Sequence, residues 1–297
     1  MNLVSVYIPT HNRAHLIERA VLSVINQTYK SIEIIIVDDG STDKTQEVLQ
    51  ELCSRFSNIK LLRHEKAKGA CAARNLAIEN AKGVYVTGLD DDDEFQQHRI
   101  MEFVKHYKSE YSLLCSTLVV NDRFGVTKTV SNKRIISYED IKNRNYVGGH
   151  IFVERERLTN SFSYSEDMPA WQDYDLSFRL IKEYGPALKL NNYSYCVDVC
   201  SADDRISDSE AAFDGFRMFI ERHKDELTED QINNHRVNDL YNRRVKLSLL
   251  QSLKYVRSFY TFKRLGLLYL LVKQPKIYKY IVAFFSALNN LSFSYKN

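Results

Sequence analysis

The chain has 297 residues, of which 44% are hydrophobic and 27% charged, and these values are typical of a globular protein rather than a low-complexity chain. The length allows one large domain or two smaller ones. The net charge of +3 hides an asymmetry, because residues 1–239 hold 30 Lys/Arg against 38 Asp/Glu, whereas residues 240–297 hold 11 Lys/Arg and no acidic residue.

The first ninety residues alternate short apolar strands with amphipathic helices. Strands are predicted at Val4–Ile8, Ile32–Val37, Ile59–Arg63 and Val84–Leu89, and helices at Ala14–Thr28, from a Ser41–Asp43 cap to about Phe56, and at Ala70–Ala81. The second strand is nearly continuous in Ile and Val, as expected for a strand buried on both faces. This β-α-β-α-β-α-β series predicts a parallel sheet with right-handed crossovers.

Beyond Phe95 the pattern is weaker. Helices are predicted at Arg99–Tyr107 and Asp173–Glu183, and strands at Tyr111–Val120, Ile151–Val153 and Tyr193–Val199. After Asp208 the chain is predicted to be mostly helical. We therefore expect a first domain of residues 1–207 and a helical, basic C-terminal region of residues 208–297.

The cysteines and the N-terminus indicate the cell compartment. The five cysteines form no C-x₂-C pair of the kind that binds zinc, and Cys196 and Cys200, four residues apart, have no histidine or second pair beside them. We therefore expect free thiols in a reducing cytoplasm. Met1–Ser5 has no basic region or cleavage site, so we expect no secretory signal.

Polar clusters follow three of the predicted strands, at Pro9–Arg13, Asp38–Ser41 and Asp90–Asp93. The carboxyl ends of parallel strands meet at one edge of a sheet, where such folds bind ligands. Four adjacent aspartates repel one another, and a divalent cation such as Mg²⁺, which usually also holds phosphates, would relieve that repulsion. The alternative is a solvated acidic turn. The chain has no G-x-G-x-x-G or G-x-x-x-x-G-K-[ST] motif, so metal and side chains would have to hold the phosphates.

Five segments, in their order and spacing, give the chain a specific resemblance to a known family. They are Val4–Arg13, Gln27-Thr28, Val37–Asp43, Ala73–Asn75 and Leu89–Asp93. Over roughly residues 1–200 the chain resembles the family 2 glycosyltransferases, which are inverting and metal-dependent. The resemblance implies an α/β fold of the GT-A type, a Rossmann-like and mainly parallel sheet flanked by helices.

The resemblance also implies a nucleotide site. Asp39 would read the base, and its carboxylate can accept the N3–H of uracil, which cytosine lacks. The loop that would flank the base contains Pro9, His11 and Arg13. Arg74, at the start of a helix, could reach the diphosphate. The alternatives are an Asx-type helix cap for Asp39 and a surface position for Arg74.

The aspartate run maps to the family's metal-binding element. The resemblance assigns Asp90 and Asp92 to a Mn²⁺ or Mg²⁺ ion, with Asp91 between them at the nucleotide. Family members often add a late histidine to the metal site, but the matching stretch here, Val199–Ser207, has none. Asp203 or Asp204 could substitute for it.

A later acidic segment, Trp171–Arg179, resembles the family's catalytic segment. Members often have Glu-Asp there, whereas this chain has Gln172-Asp173, which leaves Asp173 as the general base. The alternative for Asp173 is helix N-capping; Glu166 and Asp167 are fallback bases. His150 and Trp171 are candidates for the acceptor site, although Trp171 could equally be a packing aromatic.

Residues 240–297 interleave basic residues with apolar ones. The runs Leu265–Val272 and Tyr280–Leu288 are each too short to span a bilayer. They predict helices on an anionic membrane surface. A nucleic-acid patch and a packing face are the alternatives, and we expect no nucleic-acid partner.

The expected function is inverting transfer of one sugar from a UDP-sugar to a polyprenyl-pyrophosphate-linked saccharide in O-antigen or capsule assembly. The protein would be cytoplasmic and peripheral on the inner face of a bacterial inner membrane. Two rival functions are a sugar-nucleotide nucleotidyltransferase and a non-catalytic nucleotide-binding module. The first would want a glycine- and lysine-rich loop after strand one, and the second would be expected to lose one of the site carboxylates.

Overall fold

The computed structural model describes residues 1–122, 125–129, 131, 133–159, 162–198, 210–278 and 280–281. The chain divides into two compact units. The first comprises Met1–Tyr138, Tyr146–Asp167 and Gln172–Ala202, and the second Glu139–Asn145, Met168–Trp171 and Asp203–Asn297. The division expected at residue 207 falls outside the described residues and stays a prediction.

The strands and helices, numbered in chain order, are these. The strands are β1 (Val4–Thr10), β2 (Ile32–Asp39), β3 (Ile59–His64), β4 (Tyr85–Gly88), β5 (Glu94–Phe95), β6 (Leu114–Asp122), β7 (Gly125–Lys128), β8 (Ile135–Ile136), β9 (Phe152–Glu154) and β10 (Ala187–Asp198). The helices are α1 (Ile17–Ile25), α2 (Thr45–Arg55), α3 (Ala70–Glu79), α4 (Arg99–His106), α5 (Tyr138–Asn143), α6 (Arg155–Thr159), α7 (Gln172–Tyr184), α8 (Glu210–His223), α9 (Glu229–Asn242), α10 (Leu249–Leu253) and α11 (Phe259–Lys273).

The strands of the described residues form one sheet in the first unit, in the order β3-β2-β1-β4-β9-β6-β10-β5. The pairs β3-β2, β2-β1 and β1-β4 are parallel, as the sequence predicts. Beyond β4 the sheet is mixed, because β9 runs antiparallel to both β4 and β6. The strand order reverses beside β1, since β2 lies on one side of it and β4 on the other. This switch point places the crevice beyond the carboxyl ends of β1 and β4.

The core forms where strand and helix patterns agree. Every residue of β1 is buried, and α1 buries Ile17, Ala20, Val21 and Val24 against the sheet. Two helices begin later in the chain than the sequence predicts. α1 begins at Ile17 because the carbonyl of Arg13 accepts the N–H groups of Leu16 and Ile17 in a turn. α2 begins at Thr45, whose N–H donates to Asp43 Oδ1 at 2.9 Å.

From Glu210 onward the described residues form the helices α8, α9, α10 and α11 and no strand. Val237 and Leu240 of α9 pack with Leu265 and Leu268 of α11. Ser258 begins α11 with a capping box, in which its hydroxyl accepts the Thr261 N–H. Among the described residues, no helix combines the length and the apolar character needed to cross a membrane.

Candidate active site

The loops after β1 and β2 are joined by one asparagine. Asn12 adopts a left-handed backbone conformation (φ 55°), and its side-chain carbonyl accepts the N–H of Thr42 at 2.8 Å. Its own N–H donates to Ser41 Oγ at 2.9 Å, and the Arg13 N–H donates to Thr45 Oγ1 at 2.9 Å. The two loops therefore form one surface at the edge of the sheet. Sequence reasoning passed over Asn12, although asparagine commonly adopts this conformation.

The predicted base-flanking residues lie on this surface. Pro9 is buried in β1 opposite Val37 of β2. His11 is exposed, and its Nδ1 lies 2.7 Å from the Asp39 carbonyl oxygen. Arg13 is close enough to Asp91 for its charge to favour ionisation of that carboxyl.

Asp39 is buried and held by three donors. Its Oδ1 lies 2.7 Å from His64 Nδ1 and accepts the Lys68 N–H at 2.9 Å, while Oδ2 accepts the Gly69 N–H at 2.8 Å. Burial raises the pKa of this carboxyl, but the hydrogen bonds outweigh burial and the pKa is lowered. The alternative of a cap for α2 is wrong for Asp39. Asp38 instead supports that turn, since its Oδ1 accepts the Ser41 N–H at 2.9 Å.

Asp90 contacts the side chains of both Arg74 and His150. Its Oδ1 lies 3.0 Å from Arg74 Nη2 and its Oδ2 lies 3.0 Å from His150 Nε2. Burial alone would raise the pKa of Asp90, but His150 and Arg74 hold it well below its usual range. Asp90 is therefore ionised at neutral pH, in the state that a metal ligand requires.

Arg74 is buried, so the alternative of a surface arginine is wrong. It is 5% exposed and lies in the second turn of α3 rather than at its start. Its guanidinium lies over the Tyr164 ring, 5.3 Å from the centroid. Two of its nitrogens, Nε and Nη1, are buried without a hydrogen-bond partner. A buried cation with unpaired donors is costly unless it meets an anion.

Asp91 and Asp93 are also held inward. Thr10 Oγ1 donates to Asp91 Oδ2 at 2.6 Å, and the Asp198 N–H donates to Asp93 Oδ1 at 3.0 Å. Burial and the neighbouring aspartates raise the pKa of each carboxyl to about 7. Asp93 is buried and the other three aspartates are half-buried, which argues against the alternative of a solvated acidic turn.

Ligand atoms of Asp90, Asp93 and His150 lie within 4.8 Å of one another. Carboxylate oxygens and an imidazole suit Mn²⁺, and the carboxylates suit Mg²⁺. These residues therefore fit the cation that the resemblance implies. Of the predicted pair, Asp90 belongs to this group. The Asp92 carbonyl oxygen accepts from Arg19 Nη2 at 2.6 Å, and its role as a metal ligand stays a prediction.

His150 was predicted in the acceptor pocket, and the structure brings it to the aspartate cluster. Its ring stacks on Tyr195, with centroids 5.1 Å apart. Tyr195 in turn accepts the Asp90 N–H at 3.3 Å. Burial lowers the pKa of His150, but the ion pair with Asp90 outweighs it and the pKa is raised. His150, on the approach to β9, is thus the histidine that lies at the aspartate cluster among the described residues, while Asp203 and Asp204 lie outside those residues.

Gly88, the last residue of β4, leaves the space that these rings occupy. A Cβ at this position would lie 2.5 Å from Tyr7 Cε2 and 2.7 Å from His150 Nδ1. Neither ring can retreat easily, because Tyr7 is fully buried and hydrogen-bonded to Tyr164 and His150 is stacked on Tyr195. We expect Gly88→Ala to lower the unfolding free energy by about 1–3 kcal/mol. Calorimetry would test this against Gly149→Ala, whose added Cβ would meet nothing within 4 Å; equal stabilities would contradict the expectation.

Asp173 is the second residue of α7, so it is not the N-cap of that helix. Its Oδ1 is buried without a hydrogen-bond partner. Burial lowers the pKa of Arg74, but the charges of Asp173 and Asp90 outweigh it and raise the pKa, so Asp173 faces the same guanidinium as Asp90 does. The fallback Glu166 is exposed, and its Oε1 accepts from Asn75 Nδ2 at 2.8 Å.

Trp171 belongs to the second unit. Its ring centroid lies 5.5 Å from that of Phe216 and 5.5 Å from that of Phe219, and its backbone is left-handed (φ 68°). This packing matches the alternative of a packing aromatic. A role in acceptor binding stays a prediction.

Comparison with known proteins agrees with this geometry. The model of Glycosyl transferase family 2 matches residues 5–167. The chain is 32% identical over 235 residues to WcaA of Escherichia coli K12, named for colanic acid biosynthesis, covering 76% of this chain and 82% of WcaA. It is 32% identical over 219 residues to E. coli WfgD, named UDP-Glc:alpha-D-GlcNAc-diphosphoundecaprenol beta-1,3-glucosyltransferase, covering 72% of this chain and 81% of that protein. The crystal structure of S. aureus TarS 1-349 in complex with UDP-GlcNAc shares the fold, with a TM-score of 0.62 at 18% identity over 91% of this chain and 81% of that one.

Proposed function

The chain belongs to glycosyl transferase family 2 and has the GT-A fold, and from this premise we propose that it moves one sugar from a UDP-sugar, with inversion and β linkage, to a polyprenyl-pyrophosphate-linked saccharide. The observation that carries the proposal is Arg74. Its buried guanidinium keeps two donors unpaired beside Asp90, and a donor diphosphate supplies the anion that they require. Because the chain belongs to a glycosyltransferase family, we do not propose the rival functions of a nucleotidyltransferase or a non-catalytic module.

The nucleotide half of the site supports a uridine donor. Asp39 Oδ1 accepts two intramolecular hydrogen bonds and Oδ2 accepts one. A carboxylate oxygen has two lone pairs, so Oδ2 can still accept the N3–H of uracil. Pro9, His11 and Arg13 would line the base and ribose from the adjacent loop. The lowered pKa of Asp39 keeps it an acceptor at neutral pH.

Carboxylates would serve two separate purposes in the reaction, one as the base and the others as metal ligands. Asp173 would take the proton from the acceptor hydroxyl as that oxygen attacks the anomeric carbon. Asp90, with Asp93 or Asp92 and with His150, would hold Mn²⁺ or Mg²⁺, which supplies a Lewis acid for the departing diphosphate. Arg74 would bind the diphosphate oxygens and stabilise the charge that they gain when the sugar bond breaks.

The acceptor and its setting are proposed from the relatives. The printed name of WfgD gives a diphosphoundecaprenol acceptor and a β-1,3 linkage, and that of WcaA gives colanic acid. We extend the lipid-linked acceptor and surface-polysaccharide assembly to this chain, at the cytoplasmic face of the inner membrane. The donor sugar would be glucose, galactose or an N-acetyl form.

A donor screen tests the proposal. Purified protein with Mn²⁺ is given UDP-, GDP- and ADP-sugars together with a GlcNAc-pyrophosphate-lipid acceptor, and products are read by mass. We expect the acceptor to gain one hexose or N-acetylhexosamine from a UDP-sugar alone, and EDTA to abolish the gain. Binding of UDP without any product would refute the proposed acceptor. Absence of both product and UDP binding would refute the proposed donor.

A further inference from the structure

The exposed apolar side chains of this chain concentrate in one region. Eight of the fourteen large hydrophobic side chains exposed among the described residues lie between Leu250 and Tyr280. Large apolar side chains exposed together mark interaction surfaces more often than chance, whereas single ones need no explanation. The region that holds them also lacks any acidic residue from Leu240 onward.

On α11 these side chains share one face. Phe259, Phe262, Gly266, Tyr269 and Lys273 recur at intervals of three and four, and all are exposed. Phe259 is 81% exposed, Phe262 61% and Tyr269 51%. We call the first four of these residues the aromatic face of α11. Its core-facing side holds Thr261, Leu265, Leu268 and Val272, spaced in the same way, with the first three fully buried. The helix is thus apolar on two sides, and the described residues of the second unit's core cover one of them.

Lysines flank the aromatic face along the chain. Lys254 precedes α11, Lys263 lies within it, Lys273 ends it and Lys276 follows it, and all four are exposed. Aromatic rings flanked by lysines suit the boundary between lipid headgroups and acyl chains, where rings enter the apolar layer and ammonium groups meet lipid phosphates. A protein partner would need a matching acidic and apolar surface, whereas an anionic bilayer offers both properties at once.

We propose that the aromatic face of α11, with its surrounding lysines, docks the protein on an anionic phospholipid bilayer. The helix would lie in the plane of the headgroups rather than cross them. This inference rests on the proposed function only for the biological purpose of docking, which is to bring the enzyme to a lipid-linked acceptor. Its test needs neither donor nor acceptor.

The test is flotation with vesicles of phosphatidylcholine alone and of phosphatidylcholine mixed with phosphatidylglycerol. We expect the full chain to float with the anionic vesicles only, and added salt to weaken the binding. Lys273→Ser with Lys276→Ser should weaken binding about fivefold for each lysine removed. Phe262→Ser with Tyr269→Ser should weaken binding more strongly than the lysine changes do, because the variant lacks two of the three exposed rings of the face.

Matched controls lie in the first unit. Lys105→Ser with Lys108→Ser removes two exposed lysines, and Val126→Ser removes an exposed apolar side chain, so neither change should alter flotation. All variants should keep the unfolding midpoint of the unaltered protein and its sugar transfer to a water-soluble acceptor. Absence of that transfer in the unaltered protein would count against the proposed function and not against docking.

Three results would overturn the inference. One is equal flotation with neutral and anionic vesicles, and another is unchanged flotation of the Phe262/Tyr269 variant. The third is a dimer in solution that this variant converts to a monomer while the unaltered protein does not float. That result would assign the face to a second copy of the chain.

Discussion

Replacing Asp173 by asparagine should lower kcat by about 10²–10⁴-fold and leave the affinity for UDP unchanged. Asp173 Oδ1 is buried without a partner, so an amide of the same shape can occupy the position. An amide cannot take the proton of the acceptor hydroxyl, and the attacking oxygen would then keep its proton. Turnover with the lipid-linked acceptor and UDP binding by calorimetry measure the two quantities separately.

Glu166→Gln provides the matched control for Asp173→Asn. Glutamine keeps the side-chain oxygen that accepts from Asn75 Nδ2, so the local structure should persist. We expect near-normal turnover from this variant and from Asp167→Asn. Full activity in Asp173→Asn together with loss in Glu166→Gln would transfer the role of base to Glu166. Loss of UDP binding in Asp173→Asn would instead point to a role in holding the donor.

The first half of the sheet could be predicted from the sequence, because its two central strands, β1 and β2, are largely apolar, buried runs followed by polar ends. The second half was harder. β10 begins at Ala187, whereas the pattern predicted a start at Tyr193. Its pairing with β6 shifts register between Leu190 and Tyr195, and Tyr193 has a left-handed backbone (φ 50°). The polar pair Asn191-Asn192 lies at this irregularity and interrupts the alternation of apolar and polar residues. The sequence pattern therefore does not indicate the first half of the strand.

The candidate site shows a similar division. The aspartate run and its position after a strand were visible in the sequence. The sequence did not show which of these carboxylates turn inward. Asp93, for example, is held by the backbone of Asp198, which is more than a hundred residues away in the chain. His150 approaches Asp90 because β9 pairs with β4 in the antiparallel sense, a pairing that no local pattern encodes. Burial of Arg74 follows equally from tertiary packing.

Asp90→Asn should lower kcat about 10²–10³-fold, because Asp90 would hold the proposed metal and pairs with Arg74, the proposed diphosphate ligand. The change removes the carboxylate that contacts both Arg74 and His150 and leaves the buried Arg74 guanidinium without this ion pair. Loss of a negatively charged oxygen ligand should also lower the affinity for a divalent cation. Thermal unfolding with and without Mn²⁺ reads this directly: the unaltered protein should gain stability from Mn²⁺, and the variant should not.

Asp92→Asn and Asp93→Asn, compared with Asp90→Asn, identify the second carboxylate ligand. The resemblance favours Asp92, whereas the distances group Asp93 with Asp90 and His150. The variant that is no longer stabilised by Mn²⁺ identifies the carboxylate that binds the metal. The other variant should still be stabilised by Mn²⁺, because the carboxylate that it lacks would lie near the metal without binding it. Mn²⁺ stabilisation that survives in Asp90→Asn would contradict a metal at this cluster. Turnover lost in that variant would then reflect the displaced Arg74 alone.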